Sequence, residues 1–213
     1  MKLSSKAEQI LLQINDKTKL GDLRKIAKAI KKDHDLAMEL WSSEKFLPRQ
    51  LSILIMDSKL LSEDLINKLD KDILSHDFDE RNQLTDWLMA NQLTKDKKTI
   101  ALINSWENSP SSLQRRVFWY YQARLRWVGQ APPDNTEHLL TAIENKISKE
   151  TPEVQWAINF TAGWIGVFEK KYRDRCIAIG KKTGLYKDQM VSKGCTPDYL
   201  PDFIEIESNK RNL

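Results

Sequence analysis

The apolar residues of this chain are spaced as they are in amphipathic α-helices. They recur at intervals of three and four residues, which places them on one face of a helix. The first two such stripes run from Ala7 to Ile14 and from Leu20 to Ile30. The sequence has no Asn-Gly or Asp-Gly pair, and it lacks the alternating apolar and polar runs that indicate strands. The pattern therefore predicts an all-α protein.

Signals for the start and end of helices divide the rest of the chain. Ser62 precedes two acidic residues and an apolar stripe, which is the pattern of an N-cap and a first helical turn. Pro110 ends one helical unit, and Ser111 or Ser112 caps the next helix, which reaches Trp127. A closing helix is expected in the C-terminal tail. Further helices are predicted over residues 46–56, 79–93, 95–108, 136–148, 152–164 and 168–182.

The predicted helices form pairs that repeat about every 35 to 45 residues, which is typical of HEAT-type repeats. One pair cannot bury its own apolar face, so stacked pairs are expected to build a solenoid with a concave basic face. An irregular helical bundle is the alternative. We expect a single domain over residues 1–213. The Gly- and Pro-containing stretch 129–135 is interpreted as an ordinary loop between helices.

Composition narrows the classes of function. The chain has 34 Lys and Arg against 30 Asp and Glu, and a net charge of +4 permits phosphate-rich partners without establishing them. Basic residues are concentrated in residues 17–32 and 170–182. They are expected either to line a DNA-binding face or to form an ordinary solvent-exposed helix face. There is no long apolar run and no signal-peptide core, so a cytoplasmic protein without a membrane span is expected. Cys176 and Cys195 lack metal-binding spacing and are interpreted as reduced thiols.

Five stretches of the chain resemble, in the same order, segments of the DNA alkylation repair (AlkD-like) family. They are KLGDLRKIAKAIKKDHDLAMELW, RQLSILIMDSKLLSEDLINKL, PEVQWAINFTAGWIG, RDRCIAIGKKTGLYKD and VSKGCTPDYLPDFI. The resemblance covers roughly residues 19–204. It implies a HEAT-like solenoid that binds duplex DNA and excises N3- or N7-alkylated purines, with no metal and no cofactor. We expect the protein to act as a monomer.

The resemblance also implies a site with one carboxylate, one arginine and two aromatic rings against the DNA backbone. The family's acid precedes a Trp-Leu or Gln-Leu pair on a helix, which here assigns it to Asp86. A carboxylate there stabilises the oxocarbenium charge that develops on the sugar and orients the attacking water. A second alignment register with the family's pattern makes Glu80 the acid. That register leaves Leu84 and Leu88 out of phase with the family's apolar positions. An ordinary helix acid in a salt bridge is the alternative role for Asp86.

The remaining site positions follow from the same resemblance. The arginine falls on Arg116, with Arg115 beside it, and its paired N–H donors would hold a phosphate. The first aromatic position falls on Asn82, which has no ring. The second falls on Phe160, one helical turn after Trp156, although such a stripe is also typical of a core.

Three functions remain open at this stage. The first is a glycosylase that acts on alkylated duplex DNA. The second is a DNA-binding family member without catalysis, because Asn82 and Phe160 depart from the family's aromatic pattern. The third is a protein-interaction scaffold of the HEAT type. His76, which lies near the predicted acid, is expected to be a surface residue.

Overall fold

The computed structural model describes residues 3–127 and 132–213, and these residues form twelve α-helices and no strand. They gather into two compact units, Met1–Ser105 and Trp106–Leu213. The first unit contains α1 (Ser5–Gln13), α2 (Leu20–Ile30), α3 (His34–Trp41), α4 (Phe46–Ile55), α5 (Glu63–Ile73), α6 (Phe78–Asn91) and α7 (Lys97–Ser105). The second contains α8 (Ser112–Trp127), α9 (Thr136–Lys146), α10 (Pro152–Phe168), α11 (Arg173–Thr183) and α12 (Leu200–Asn209).

Side-chain caps define where several helices begin. The hydroxyl of Ser62 accepts a hydrogen bond from the Leu65 amide at 3.2 Å, which confirms the predicted cap of α5. Ser111 accepts from the Gln114 amide at 3.3 Å, so of the two predicted caps it is Ser111 that caps α8, which begins at Ser112. Each cap satisfies an amide that has no partner inside its helix, which stabilises a helix by about 1 kcal/mol.

The core of the first unit is built around α4, which packs against α2, α3 and α6. Its side chains Leu51, Ile53 and Ile55 are fully buried. The end of α4 is closed by Gln92, whose amide donates to the carbonyl oxygens of Ile53 at 2.5 Å and Met56 at 3.3 Å. Gln92 is itself buried, so its side-chain N–H groups need protein acceptors. The two bonds supply these acceptors and also give the carbonyl groups at the end of α4 a donor.

A buried arginine ties α4 to its neighbours. Arg49 is 3% exposed, and its guanidinium donates to the carbonyl oxygens of Asp72 at 2.7 Å and Trp41 at 3.3 Å. The same guanidinium lies 4.9 Å from the centroid of the Trp41 ring. The indole N–H of Trp41 donates to the Asp72 carboxylate at 2.8 Å. These bonds offset the free-energy cost of burying the Arg49 cation inside the first unit.

The core of the second unit is built around α10, which packs against α8, α11 and α12. The predicted end at residue 164 is wrong, because α10 continues to Phe168 and α11 begins only at Arg173. Glycines allow the close approach of α12: a Cβ added at Gly163 would lie 2.7 Å from the Phe203 ring. The closing helix expected in the tail is confirmed as α12.

The predicted loop 129–135 begins outside the described residues, and its later part precedes α9. Within the described ranges, no helix has the length and apolarity that crossing a membrane requires. The single domain remains a prediction.

We predict that Gly180→Ala lowers the free energy of unfolding by about 1 to 3 kcal/mol, because overpacking forces the backbone to move. An added Cβ at Gly180 would lie 2.6 Å from Cβ of Leu200 and 2.7 Å from Cδ of Pro201, and neither atom swings aside easily. Gly21→Ala is the control, since nothing lies within 4 Å of its added Cβ. It should leave stability unchanged or raise it by up to about 1 kcal/mol. Urea denaturation measures both changes, and equal stability of the two variants would contradict the packing described.

Candidate functional site

The predicted acid lies in the middle of α6. Asp86 and Asn82 are separated by one helical turn, and both are half-buried. Leu84 and Leu88, the apolar positions that the Asp86 register keeps in phase, are both buried. The Oδ1 atom of Asn82 is buried and accepts no hydrogen bond from the described residues.

Basic residues of α2 lie against α4 and α6 in the first unit. The guanidinium of Arg24 is 5.3 Å from the ring centroid of Trp87, the residue that follows Asp86. The Trp87 indole N–H donates to the carbonyl oxygen of Gln50 at 3.3 Å, which fixes the ring. A groove of about 400 Å³ adjoins this contact, with the two apolar side chains of Ala27 and Leu54. Its four cations come from the predicted basic run: Arg24, Lys28, Lys31 and Lys32.

Glu80, the acid of the second register, is held by a histidine. The Nδ1 atom of His76 lies 2.6 Å from the Glu80 carboxylate, and its Nε2 atom lies 2.7 Å from the guanidinium of Arg49. An arginine can only donate, so Nε2 accepts and Nδ1–H donates to Glu80. The expectation that His76 is a surface residue is wrong, since these partners leave its side chain 5% exposed. Among the described residues, no group of three or more His, Cys, Asp or Glu side chains is placed to hold a metal ion.

A stripe of alternating cations and rings runs along α8 in the second unit. Arg116, Tyr120, Arg124 and Trp127 are spaced by four, four and three residues, so they share one face of the helix. The family resemblance assigns a role to Arg116 alone among these four. The interleaving of basic and aromatic residues on this helix also suits a face that follows DNA phosphates, with part of the aromatic residues expected in the core.

A second stripe, on α10, meets the first. The rings of Trp156 and Phe160 are stacked with centroids 4.8 Å apart. Tyr120 lies 5.7 Å from Trp156 and 5.6 Å from Phe160, and Trp127 lies 5.2 Å from Phe160. All four rings are half-buried, whereas Trp164, one turn further along α10, is only 7% exposed and belongs to the core. We call the four half-buried rings, Tyr120, Trp127, Trp156 and Phe160, the aromatic platform.

Both predicted arginines are held inside the second unit. Arg116 is 5% exposed, its guanidinium lies 4.6 Å from the centroid of Trp156, and it donates to the carbonyl oxygen of Glu153 at 2.8 Å. Arg115 instead forms an ion pair with Glu150 at 2.9 Å and donates to the carbonyl oxygen of Ser109 at 2.7 Å. Arg116 therefore supports the platform, while Arg115 is directed to a different partner.

Arg124 is the cation of the α8 stripe with unused hydrogen-bonding capacity. It is half-buried one turn after Tyr120 and three residues before Trp127. Its guanidinium makes no hydrogen bond or ion pair with any described residue. A guanidinium beside partly exposed rings suits a phosphate group, to whose oxygens it donates two parallel N–H bonds.

The structure thus places the predicted residues in two groups. Asp86 and Asn82 lie on α6 in the first unit. In the second unit, Arg116 of α8 and the rings of Trp156 and Phe160 of α10 form one continuous contact cluster.

Polar contacts fix both ends of the α10 stripe. The indole N–H of Trp156 donates to the Asp198 carboxylate at 3.3 Å. At the other end the guanidinium of Arg211 lies 4.8 Å from the Trp164 ring and pairs with Glu207. Burial alone would raise the pKa of Glu207, but hydrogen bonds from Lys210, Thr196 and Arg211 outweigh it and lower the pKa to about 2. Glu207 therefore stays ionised and holds Arg211 over the ring at neutral pH.

We predict that Arg116→Met lowers the free energy of unfolding by about 1 to 3 kcal/mol, because it removes the buried guanidinium that donates to the Glu153 carbonyl and contacts the Trp156 ring. The matched change Arg124→Gln should alter stability by no more than about 0.5 kcal/mol, since that guanidinium has no partner among the described residues. Chemical denaturation of the two variants measures the difference. A larger loss in Arg124→Gln than in Arg116→Met would contradict the roles assigned to them.

Comparisons with known proteins agree with this architecture. The family model described as DNA alkylation repair enzyme matches residues 18–162. No curated protein matches the chain in sequence. A solved structure from a family related to the HEAT-like repeat DNA glycosylases, with affinity for branched DNA structures, has a TM-score of 0.68 and 16% sequence identity. The similarity covers 98% of this chain and 88% of that one, and it shows a HEAT-like helical-repeat fold. The chain belongs to the DNA alkylation repair enzyme family.

Proposed function

We propose that this protein binds duplex DNA and excises alkylated purines from it by hydrolysing the N-glycosidic bond. The observation that carries the proposal is the contact cluster of Arg116, Trp156 and Phe160. The family resemblance assigned an arginine and an aromatic ring to these stretches, and the two stretches meet in the folded second unit.

Exposed cations supply the attraction for the phosphate backbone. Arg124 stands beside the aromatic platform, and the groove along α2 presents four further basic side chains. Lys and Arg side chains neutralise DNA phosphates and release condensed counterions, which provides most of the sequence-independent affinity. The net charge of +4 has the sign that this role requires.

The proposed chemistry assigns the carboxylate role to Asp86. An alkylated purine carries a positive charge, so it leaves with the bonding electrons of the N-glycosidic bond and becomes neutral. Positive charge then develops on the sugar, where a carboxylate stabilises it and orients a water whose oxygen bonds to the anomeric carbon. The water's second proton is released to solvent. Burial of Leu84 and Leu88 supports the register in which Asp86 holds this position.

Binding without excision is the second candidate function, and Asn82 favours it. Its amide stands where the family has a ring, so less aromatic surface is available against the sugar near the lesion. The structurally similar protein belongs to a family with affinity for branched DNA structures. A member that keeps the DNA-binding surface and lacks the chemistry would bind such structures without releasing a base.

We predict that the wild-type protein releases free base from duplex DNA containing 7-methylguanine and that Asp86→Asn abolishes release. A neutral amide cannot stabilise the developing charge, and loss of one such electrostatic contact lowers rates by about a hundredfold or more. DNA affinity should change by less than about threefold, since Asp86 is not expected to hold the backbone. Chromatography of the released base measures the rate.

Two further variants make the excision experiment decisive. Glu80→Gln should retain release if Asp86 is the acid, and loss of release only in Glu80→Gln would instead select the second register. Asp79→Asn removes an exposed acid from the first turn of the same helix and serves as the control. Absence of release by the wild type, with DNA binding intact, would establish the second candidate function.

We also predict that affinity for duplex DNA falls about a hundredfold or more between about 50 and 200 mM salt, because several counterions are released on binding. Arg124→Gln should reduce the slope of log affinity against log salt by about one unit. Fluorescence anisotropy of a labelled duplex measures both quantities. A slope near zero would contradict DNA binding and favour the protein-interaction scaffold.

A further inference from the structure

We propose that the aromatic platform stacks unpaired DNA bases, so that the protein binds DNA with displaced or unpaired nucleotides more tightly than fully paired duplex. The inference rests on the proposed DNA binding. It deepens that function by naming the feature of DNA that the second unit recognises and the side chains that recognise it.

The exposure of the platform distinguishes it from the core beneath. Trp164 and Phe203, which both contact Phe160, are 7% and 6% exposed. The four platform rings remain half-buried although they are among the largest apolar side chains of the chain. A contiguous group of half-buried rings is unusual on a surface that binds nothing, because it leaves part of their apolar area in water. The platform is therefore the part of this cluster that is available to a ligand.

The rings are held in place before any ligand binds. Trp156 and Phe160 are stacked with an angle of 17° between their planes. Arg116 covers one face of Trp156, and Asp198 accepts a hydrogen bond from its indole. Asn159, on the same helix, donates to the carbonyl oxygen of Asp198 at 2.7 Å and secures that segment. Fixed rings lose little conformational freedom on binding, which leaves more of the stacking energy for affinity.

Nucleobases are the occupant that fits this surface. Every base has a flat π face, so stacking on aromatic side chains is strong and tolerates any sequence. Bases inside a duplex are stacked on their neighbours, whereas an unpaired base has a face to offer. Arg124 lies on the same helical face between Tyr120 and Trp127. Its guanidinium has no hydrogen-bond partner among the described residues and can hold the phosphate attached to a stacked nucleotide. Rings with an adjacent cation are the combination that binds single-stranded nucleic acid.

The test compares two DNA probes of equal length. One is a fully paired duplex, and the other carries an unpaired single-stranded flap with 2-aminopurine, a base whose fluorescence is quenched by stacking. We expect the wild type to bind the flap probe more tightly and to quench its fluorescence. Trp127→Leu should weaken flap binding by about fivefold to a hundredfold, which is the range for loss of one stacking ring. Its affinity for the paired duplex should change by less than about twofold.

Matched variants separate stacking from folding. Tyr172→Leu removes a half-buried ring from the same unit, outside the platform, and should bind both probes as the wild type does. Trp127→Tyr keeps a ring and should recover most of the flap preference. If Trp127→Leu does not fold, as judged by circular dichroism, Tyr120→Leu replaces it in the same comparison.

The possible results separate the two proposals. Equal weakening of both probes by a folded Trp127→Leu, or no weakening of either, would overturn base stacking while DNA binding stands. Failure of the wild type to bind either probe would overturn both the proposed function and this inference. Selective loss of flap binding together with loss of quenching would establish the platform as the site for unpaired bases.

Discussion

The packing of α8 against α10 is the contact on which the second unit and its candidate site both depend. Each helix presents a stripe of large side chains, and the stripes meet through ring contacts of 5.2 to 5.7 Å. One side of this assembly is buried against Trp164 and Phe203, which supplies apolar burial to the core. The other side stays half-buried as the aromatic platform. The same rings therefore stabilise the second unit and leave part of their surface open to a ligand.

Arginine has two different physical roles along the α8 stripe. Arg116 is buried, covers Trp156 and satisfies a carbonyl oxygen, so removing it is expected to cost stability. Arg124 has no partner among the described residues, so its donors are available to an anion. The neighbouring Arg115 has a third role, because it forms an ion pair with Glu150 within the second unit. Family resemblance alone could not separate these roles, because burial and partners arise only when the helices pack.

Much of the fold could be predicted from the sequence, because helical spacing and caps are local properties. Ser62 and Ser111 cap helices where expected, and the closing helix α12 forms in the tail. The predicted end of α10 was wrong, because the helix continues through Gly166, which packs closely against Ile204, a contact between distant residues. His76 was misjudged for the same reason, since its partner Arg49 lies far away in the sequence. The role of Asp86 is still a prediction, because spacing fixes its place on α6 and says nothing of its chemistry.

Photo-crosslinking to DNA that contains 5-bromouracil, with the adducts located by peptide mass spectrometry, shows which face of the second unit contacts DNA. This base crosslinks to aromatic side chains that it contacts. We expect adducts on the platform rings Tyr120, Trp127, Trp156 or Phe160, and we expect excess unlabelled DNA to remove them. Adducts confined to rings outside the platform, such as Tyr172, would contradict the claim that this face binds DNA.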